Sequence, residues 1–238
     1  MIIKVTGDTH GDRDRMREYI EQHNKIPSFD VLLVCGDFGY LFKYNNKGER
    51  KFLDKIEEQA NFELWFIDGN HENFDTIYNS PIEEWNGGKI HRIRKNIIHL
   101  MRGEVYTINN KNLFTFGGGY SIDKYDRLEY EERTMKKVWW EKELPTEKEI
   151  QNAYTNLEKV GWRIDYVFTH SAPNALLPAV KEFFISEIKE ETDILTDTLE
   201  DIRRKLTFKH WCFGHYHGEK AINDQFTILH HTSKIIEI

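Results

Sequence analysis

Ile2-Ile3-Lys4-Val5-Thr6-Gly7-Asp8-Thr9-His10-Gly11 opens the chain: an apolar strand-like run gives way abruptly to glycine, aspartate and histidine. The same event recurs four times. Val31–Cys35 runs into Gly36-Asp37, the run 64–68 into Gly69-Asn70-His71-Glu72, the run 166–169 into His170, and 211–213 into Gly214-His215-Tyr216-His217. Short apolar runs bounded by turn residues read as buried strands. In open α/β sheets ligands bind beyond the carboxyl ends of the strands, so clusters far apart in sequence are expected to converge in one crevice.

Further strands are predicted at 97–99, 113–116 and 227–230. Helical spacing fills the early gaps: 12–25 carries Met16, Tyr19, Ile20 and His23 and stops before Pro27, and 49–60 carries Phe52, Leu53 and Ile56. This alternation implies a parallel sheet. From about 90 to 116 the helical period vanishes and short strands follow one another, which predicts a second, partly antiparallel sheet. Beyond it, Thr146 and Glu149 form a capping box for a helix to about Lys159, and 193–206 places Ile194, Leu195, Leu199, Ile202 and Leu206 on one face. No Pro/Gly/Ser linker divides the chain, so 1–238 is expected to form one domain of α/β (α+β) class.

With 238 residues and 13% aromatics the chain can bury a substantial core. Its 33 Lys+Arg against 40 Asp+Glu give a formal charge of -7, which supplies no global attraction for nucleic acid or an anionic membrane. No apolar stretch approaches the roughly 18 residues of a membrane span, and the first residues lack the pattern of a cleaved signal. Cys35 and Cys212 lie in apolar runs, and two thiols make no disulfide framework. A cytoplasmic protein is expected.

Taken singly, each polar cluster reads equally as a turn or a helix cap. Together they supply Asp8, His10, Asp37, Asn70, His170, His215 and His217, more donors than one tetrahedral ion needs. Such a set suits two metals sharing a carboxylate. Imidazole, carboxylate and amide in one set favour Mn, Fe, Zn or Co over Mg or Ca.

The order D-x-H, G-D, G-N-H-[ED], H, G-H-x-H over positions 7 to 217 resembles the calcineurin-like metallophosphoesterases. The resemblance implies a four-layer αββα sandwich, two mixed β-sheets flanked by helices. It also implies that Asp8, His10 and His217 bind one divalent ion, Asn70, His170 and His215 a second, and Asp37 bridges them, with Mn foremost. His71 would face the substrate as electrostatic stabiliser or general acid, and with Asp37 it makes up the expected catalytic pair. The implied chemistry is hydrolysis of a phosphodiester or phosphomonoester by a hydroxide shared between the ions. The substrate would be a phosphate ester, a nucleotide among the candidates.

Gly7-Asp8-Thr9-His10-Gly11 is similar to the Ser/Thr protein phosphatases too, but Phe38-Gly39-Tyr40-Leu41 follows Gly36-Asp37, and Asp68 precedes Gly69. The phosphate-gripping arginines of those enzymes are absent, and Tyr40 stands where an Asp would orient the catalytic histidine. Arg13, Arg102 and Arg127 are the candidates to replace the clamp, with Asn70 beside them as a substrate contact. The stretch Gly117-Gly118-Gly119-Tyr120-Ser121-Ile122-Asp123-Lys124, continuing to Trp139-Trp140-Glu141, resembles small bacterial and phage phosphoesterases. Its glycines read as an anion cradle or a plain loop, and its tryptophans as a base-stacking platform or the core side of an amphipathic helix.

Three other functions compete. A nuclease would use Lys89, Arg92, Arg94 and Lys95 as its basic track, or leave them as a solvated strand edge. A protein phosphatase is a second alternative. A non-catalytic scaffold, like the retromer subunit that resembles a degenerate phosphoesterase, need not retain His71. The remaining histidines, His23, His91, His99, His210, His230 and His231, receive no chemical role, and the acidic run 182–201 reads as a solvated helical face or a lid.

Overall fold

A computed structural model describes residues 1–43, 46–181 and 192–238. Its strands are β1 (Ile2–Thr6), β2 (Val31–Cys35), β3 (Glu63–Ile67), β4 (Ile82–Trp85), β5 (Gly88–Arg94), β6 (Ile97–Leu100), β7 (Glu104–Ile108), β8 (Lys111–Phe116), β9 (Tyr166–Thr169), β10 (His210–Phe213), β11 (Lys220–Ala221), β12 (Phe226–Ile228) and β13 (Lys234–Glu237). Its helices are α1 (Arg13–Lys25), α2 (Lys47–Gln59), α3 (Phe74–Tyr78), α4 (Lys124–Thr134), α5 (Glu147–Lys159), α6 (Leu177–Val180) and α7 (Ile194–Lys205).

The strands form two mixed sheets, ordered β13-β1-β2-β3-β6-β5-β4 and β11-β12-β10-β9-β8-β7. Strand β2 shows why four layers result. All five of its residues are buried, because Leu32 and Val34 pack outward with Met16, Phe52 and Ile56 of α1 and α2, while Val31, Leu33 and Cys35 pack inward. The inward set meets Phe168 and Cys212 of the second sheet. On the far side, Val167, Trp211 and Phe213 pack against Ala153, Leu157, Leu199 and Ile202 of α5 and α7. The order helix, sheet, sheet, helix is the αββα sandwich of an α/β protein.

Helix starts follow local chemistry. Asp12 accepts the Asp14 and Arg15 N–H groups at the head of α1, the Thr146–Glu149 capping box opens α5, and Asp193 caps α7. The part of the acidic run at 182–191 lies outside the described residues.

Three expectations change. The strands between 90 and 116 do not make one new sheet: β5 and β6 complete the first sheet and β7 and β8 begin the second. An apolar period encodes burial, not the identity of the neighbouring strand. Trp139 and Trp140 are not helical. Helix α4 ends at Met135 with φ 59°, and the Val138 and Trp139 N–H groups bond to Glu131 Oε1 in extended chain. The last of the expected runs is shorter: β12 stops at Ile228, so His230 and His231 lie in a bend where strand alternation does not govern them.

Arg102 sits in the connection between the sheets, where it turns inward rather than toward a surface. Its guanidinium is buried on Asp68, with Nε 2.8 Å from Oδ2, and Nη2 donates to the Lys142 carbonyl at 2.9 Å. The other Asp68 oxygen lies 2.9 Å from His99 Nε2, and the Asp68 backbone carbonyl takes the Gly118 N–H. The Asp68 carboxyl, which burial pushes up, is held well below the usual range by Arg102 and His99. Removing the cation strands a buried carboxylate: Arg102→Ala is expected to lower stability by about 3–5 kcal/mol in urea titration.

Candidate metal centre

The loops after β1 and β2 are zipped together by backbone hydrogen bonds, Asp8 N to Gly36 O at 3.2 Å, His10 N to Asp37 O at 2.7 Å and Gly11 N to Phe38 O at 3.0 Å. That pairing turns both loops inward at the same level. Asp8, His10, Asp37, His215 and His217 all adopt positive φ, between 45° and 67°. Left-handed backbone is strained for a side-chain-bearing residue, and such strain collects at functional sites. Gly36, at φ 84°, has no alternative: a Cβ there would lie 2.0 Å from His170 Nδ1.

Five of the seven sequence-predicted donors share two groups of ligand atoms, and Asn70 and His215 lie beside His170. Ligand atoms of Asp8, His10 and His217 lie within 4.8 Å of one another, as do those of Asp8, Asp37 and His170. His10 Nε2 is 3.1 Å from His217 Nε2, and His170 Nε2 is 3.4 Å from Asp37 Oδ1 and 3.1 Å from Asn70 Oδ1. The His215 ring centroid lies 4.8 Å from that of His170. Asp8 is therefore in both clusters, alongside Asp37, which the resemblance implies as the bridge.

The donor chemistry fits a cation. His170 Nδ1 faces the Cys35 carbonyl at 2.9 Å, and a carbonyl only accepts, so Nδ1 carries a proton and Nε2 is the ring nitrogen turned toward the centre. There Nε2 meets Asn70 Oδ1, an amide oxygen and a pure acceptor, at 3.1 Å. An imidazole nitrogen and an amide oxygen facing each other in a buried space mark a position for positive charge, a shared proton or a metal ion. Burial and the neighbouring Asp37 push the Asp8 carboxyl well up, although the His215 N–H and Arg15 pull the other way. Asp37 would be raised by burial too, yet His170, His71, His10 and the His71 N–H hold it well below the usual range. Burial lowers His10 and His217, and His215 falls to about 3, so these imidazoles offer free nitrogen lone pairs at neutral pH.

His71 stands apart from the ligand atoms. Its backbone N–H donates to Asp37 Oδ1 at 2.8 Å, while its ring faces a cavity of about 380 Å³ walled by His10, Arg13, Tyr40, Phe42, Lys43 and Phe52 among others. Arg127 Nη2 is 3.0 Å from His71 Nδ1 and closer still to Nε2, and Asp123 holds that guanidinium at 2.9 Å. Of the three candidate arginines, Arg127 reaches His71 and Arg13 reaches the cavity wall, whereas Arg102 is committed to Asp68. The Tyr40 hydroxyl donates to the Asp12 carbonyl at the head of α1, so it is not spent on orienting His71.

Several supporting residues escape a reading of the sequence. Buried Glu72 accepts the Phe38 N–H at 2.6 Å and the Gly39 N–H at 3.4 Å, pinning the loop that carries Asp37. Arg15 donates to the Gly7, Asp8 and His230 carbonyls, tying the first loop to the last. The position of Glu72 inside Gly69-Asn70-His71-Glu72 is a usable signal; nothing local marks Arg15. The His230 ring stacks on His217 at 4.3 Å and 7°, a contact no strand period predicts. Trp140 is a packed residue whose Nε1 donates to Asp75, and Trp139 carries the Lys124 ammonium over its ring at 4.3 Å.

Residues 1–219 match the family of calcineurin-like phosphoesterases. The chain belongs to that family. The matched span takes in all five clusters, from Asp8 to His217. No curated protein matches the chain. Of solved structures, 43 chains match. One is a novel archaeal phosphodiesterase, 14% identical, covering 58% of this chain and 68% of its own, at a TM-score of 0.29.

The crowded carboxyls of this calcineurin-like centre make a prediction for the metal-free protein. Because the folded Asp8 pKa is raised, its contribution is most favourable below about pH 4 and is lost as pH climbs toward neutrality. Asp8→Asn is therefore expected to raise the Tm of metal-free protein at pH 7 by about 2–4 °C, on the order of 1 kcal/mol, and to lose that advantage near pH 4. Calorimetric melts in chelator at the two pH values check both signs.

Proposed function

We propose that this protein is a metal-dependent phosphoesterase that hydrolyses a phosphodiester or phosphomonoester at a dinuclear centre. One observation carries the reading: oxygen and nitrogen donors from five separate strand ends converge beside an imidazole and a guanidinium that lie outside the donor set. In this reading Asp8, His10 and His217 hold one divalent ion, Asn70, His170 and His215 the other, and Asp37 lies between them. Mn is the first candidate, with Fe, Zn and Co close behind, since imidazole nitrogen dominates the set. When bound, such a pair supplies Lewis acidity, positive charge for phosphoryl oxygens and acidification of water.

The chain's own residues do the rest. Arg127 binds and orients nonreacting phosphoryl oxygens beside His71, doing from α4 what the phosphatase arginines do from other positions. Burial keeps His71 low, with Arg127 adding to the effect and Asp37 opposing it. An anionic ester seated between His71 and Arg127 brings the negative charge that draws a proton to the imidazole, so His71 serves as electrostatic stabiliser or general acid toward the leaving oxygen. The cavity at His10 and His71 receives the rest of the ester, with aromatic walls and Arg13 and Lys43 at its edge. Such a lining suits a nucleotide-like group.

A small ester is favoured over a nucleic acid strand. Arg92 is paired to Glu83 and Arg94 to Asp54, and Arg94 pairs in register with Ile97, opposite the start of β3 at Leu64. The proposed centre lies beyond the other end of β3, so Arg94 and the adjoining Lys95 sit at the far end of the sheet from it and do not flank it. Among the described residues no helix is long and apolar enough to cross a membrane. Cys35 and Cys212 are buried free thiols, which suits the reducing cytoplasm proposed for this enzyme.

With Mn and chromogenic bis- and mono-phosphate esters, His71→Ala is expected to lower kcat by roughly 10²–10⁴-fold. Arg127→Ala should act mainly through KM. Turnover unchanged in both His71→Ala and Asp37→Ala would remove the basis of the assignment.

A further inference from the structure

We propose that Glu143, acting through Ser121, decides which end of the Asn70 amide faces His170, and thereby whether the inner half of the centre accepts a metal ion. The inference rests on the dinuclear reading above and adds two positioning residues to it. Neither Ser121 nor Glu143 supplies a ligand atom in that reading.

An asparagine amide offers a donor and an acceptor of nearly the same shape, so its partners alone determine its orientation. A cation held beside His170 Nε2 requires the amide oxygen, and not the NH₂, to turn inward. The structure has that orientation. Asn70 Oδ1 lies 3.1 Å from His170 Nε2, and Asn70 Nδ2 turns away to donate to Ser121 Oγ at 3.0 Å.

Glu143 is what opposes the other orientation. Its Oε1 accepts the Ser121 backbone N–H at 3.2 Å and its Oε2 accepts the Ser121 hydroxyl at 2.5 Å, a length typical of a hydroxyl bound to a carboxylate. A hydroxyl has one proton to give. Once that proton is committed to Glu143, Ser121 Oγ presents only lone pairs and needs a donor, which is Asn70 Nδ2. Turning the amide over would set its oxygen against those lone pairs. Asn70 is 5% exposed and Ser121 and Glu143 are each 1% exposed, so water has little access to repair such a mismatch.

The surrounding chain is shaped to let this relay approach. Ser121 lies just beyond Gly119, whose N–H donates to the Glu143 carbonyl at 3.1 Å. A Cβ on Gly119 would lie 3.0 Å from His170 Cδ2 and 3.2 Å from both Asn70 Oδ1 and His215 Cε1. Gly119 therefore closes the relay over the inner ligands.

The test is Mn binding by the full-length chain, read as ions per chain after equilibrium dialysis and as affinities by calorimetry. Wild type is expected to hold two ions. In Glu143→Gln the new amide donates to Ser121 Oγ and releases the hydroxyl proton to Asn70 Oδ1, so the Asn70 amide turns over. One of the two ions should then bind about 10–100-fold more weakly. Ser121→Ala should show the same loss, and it carries the comparison if Glu143→Gln folds poorly. The deciding control is Asn70→Asp, whose two equivalent oxygens need no orienting. In that background Glu143→Gln should leave affinity unchanged or raise it. Unchanged affinities in Glu143→Gln and Ser121→Ala would overturn the proposal. So would a Glu143→Gln loss of the same size in the wild-type and Asn70→Asp backgrounds, which marks general loosening of the site. A wild-type chain that binds fewer than two ions overturns the dinuclear reading instead.

Discussion

Two buried carboxylates, Asp8 and Asp37, impose the constraint from which the rest of the centre follows. Each sits on a strained left-handed turn at the end of a central strand, and the two turns are joined by backbone hydrogen bonds. Placing like charges together inside a protein is costly, and several groups around them offset that charge. The His71 N–H and the rings of His10 and His170 face Asp37, while the His215 N–H faces Asp8. A divalent cation would answer this concentration of negative charge more completely than hydrogen bonds do.

The sandwich exists to hold those turns. Strands β1, β2 and β3 come from one sheet and β9 and β10 from the other, and each ends at the same edge. Because both sheets are covered on their outer faces by helices and share an inner core, the two sets of strand ends are rigidly related. His170 and His215 can thus face Asp37 and Asn70 across the gap between sheets. Around this inner group lies a more open one, in which exposed His217 stacks on His230 and exposed His10 borders the cavity. The two groups thus differ in depth: His170 and Asn70 are buried, whereas His10 and His217 are exposed.

Much of this is legible in the sequence. The abrupt change from apolar run to Gly, Asp and His marks a strand end, and β1, β2 and β9 are readable to the residue, as is the Thr146–Glu149 capping box. Both signals are local: a side chain contacts residues within a few positions, and the pattern records it. His71 and Arg127 illustrate the limit. Each stands out as a candidate, yet their juxtaposition joins residues 56 apart in the chain. Arg102, equally plausible as a substrate contact, turns inward to Asp68 because the crossing between sheets buries it.

Residue type and hydrophobic period are properties of short segments, so the set of donors and the strand ends that carry them can be read from the chain alone. Which strand neighbours which, which arginine lies against His71 and which in the core, and how the Asn70 amide is turned were left to the folded molecule. Those outcomes depend on contacts between distant segments, where burial removes water as an alternative partner and forces each polar group to a single choice.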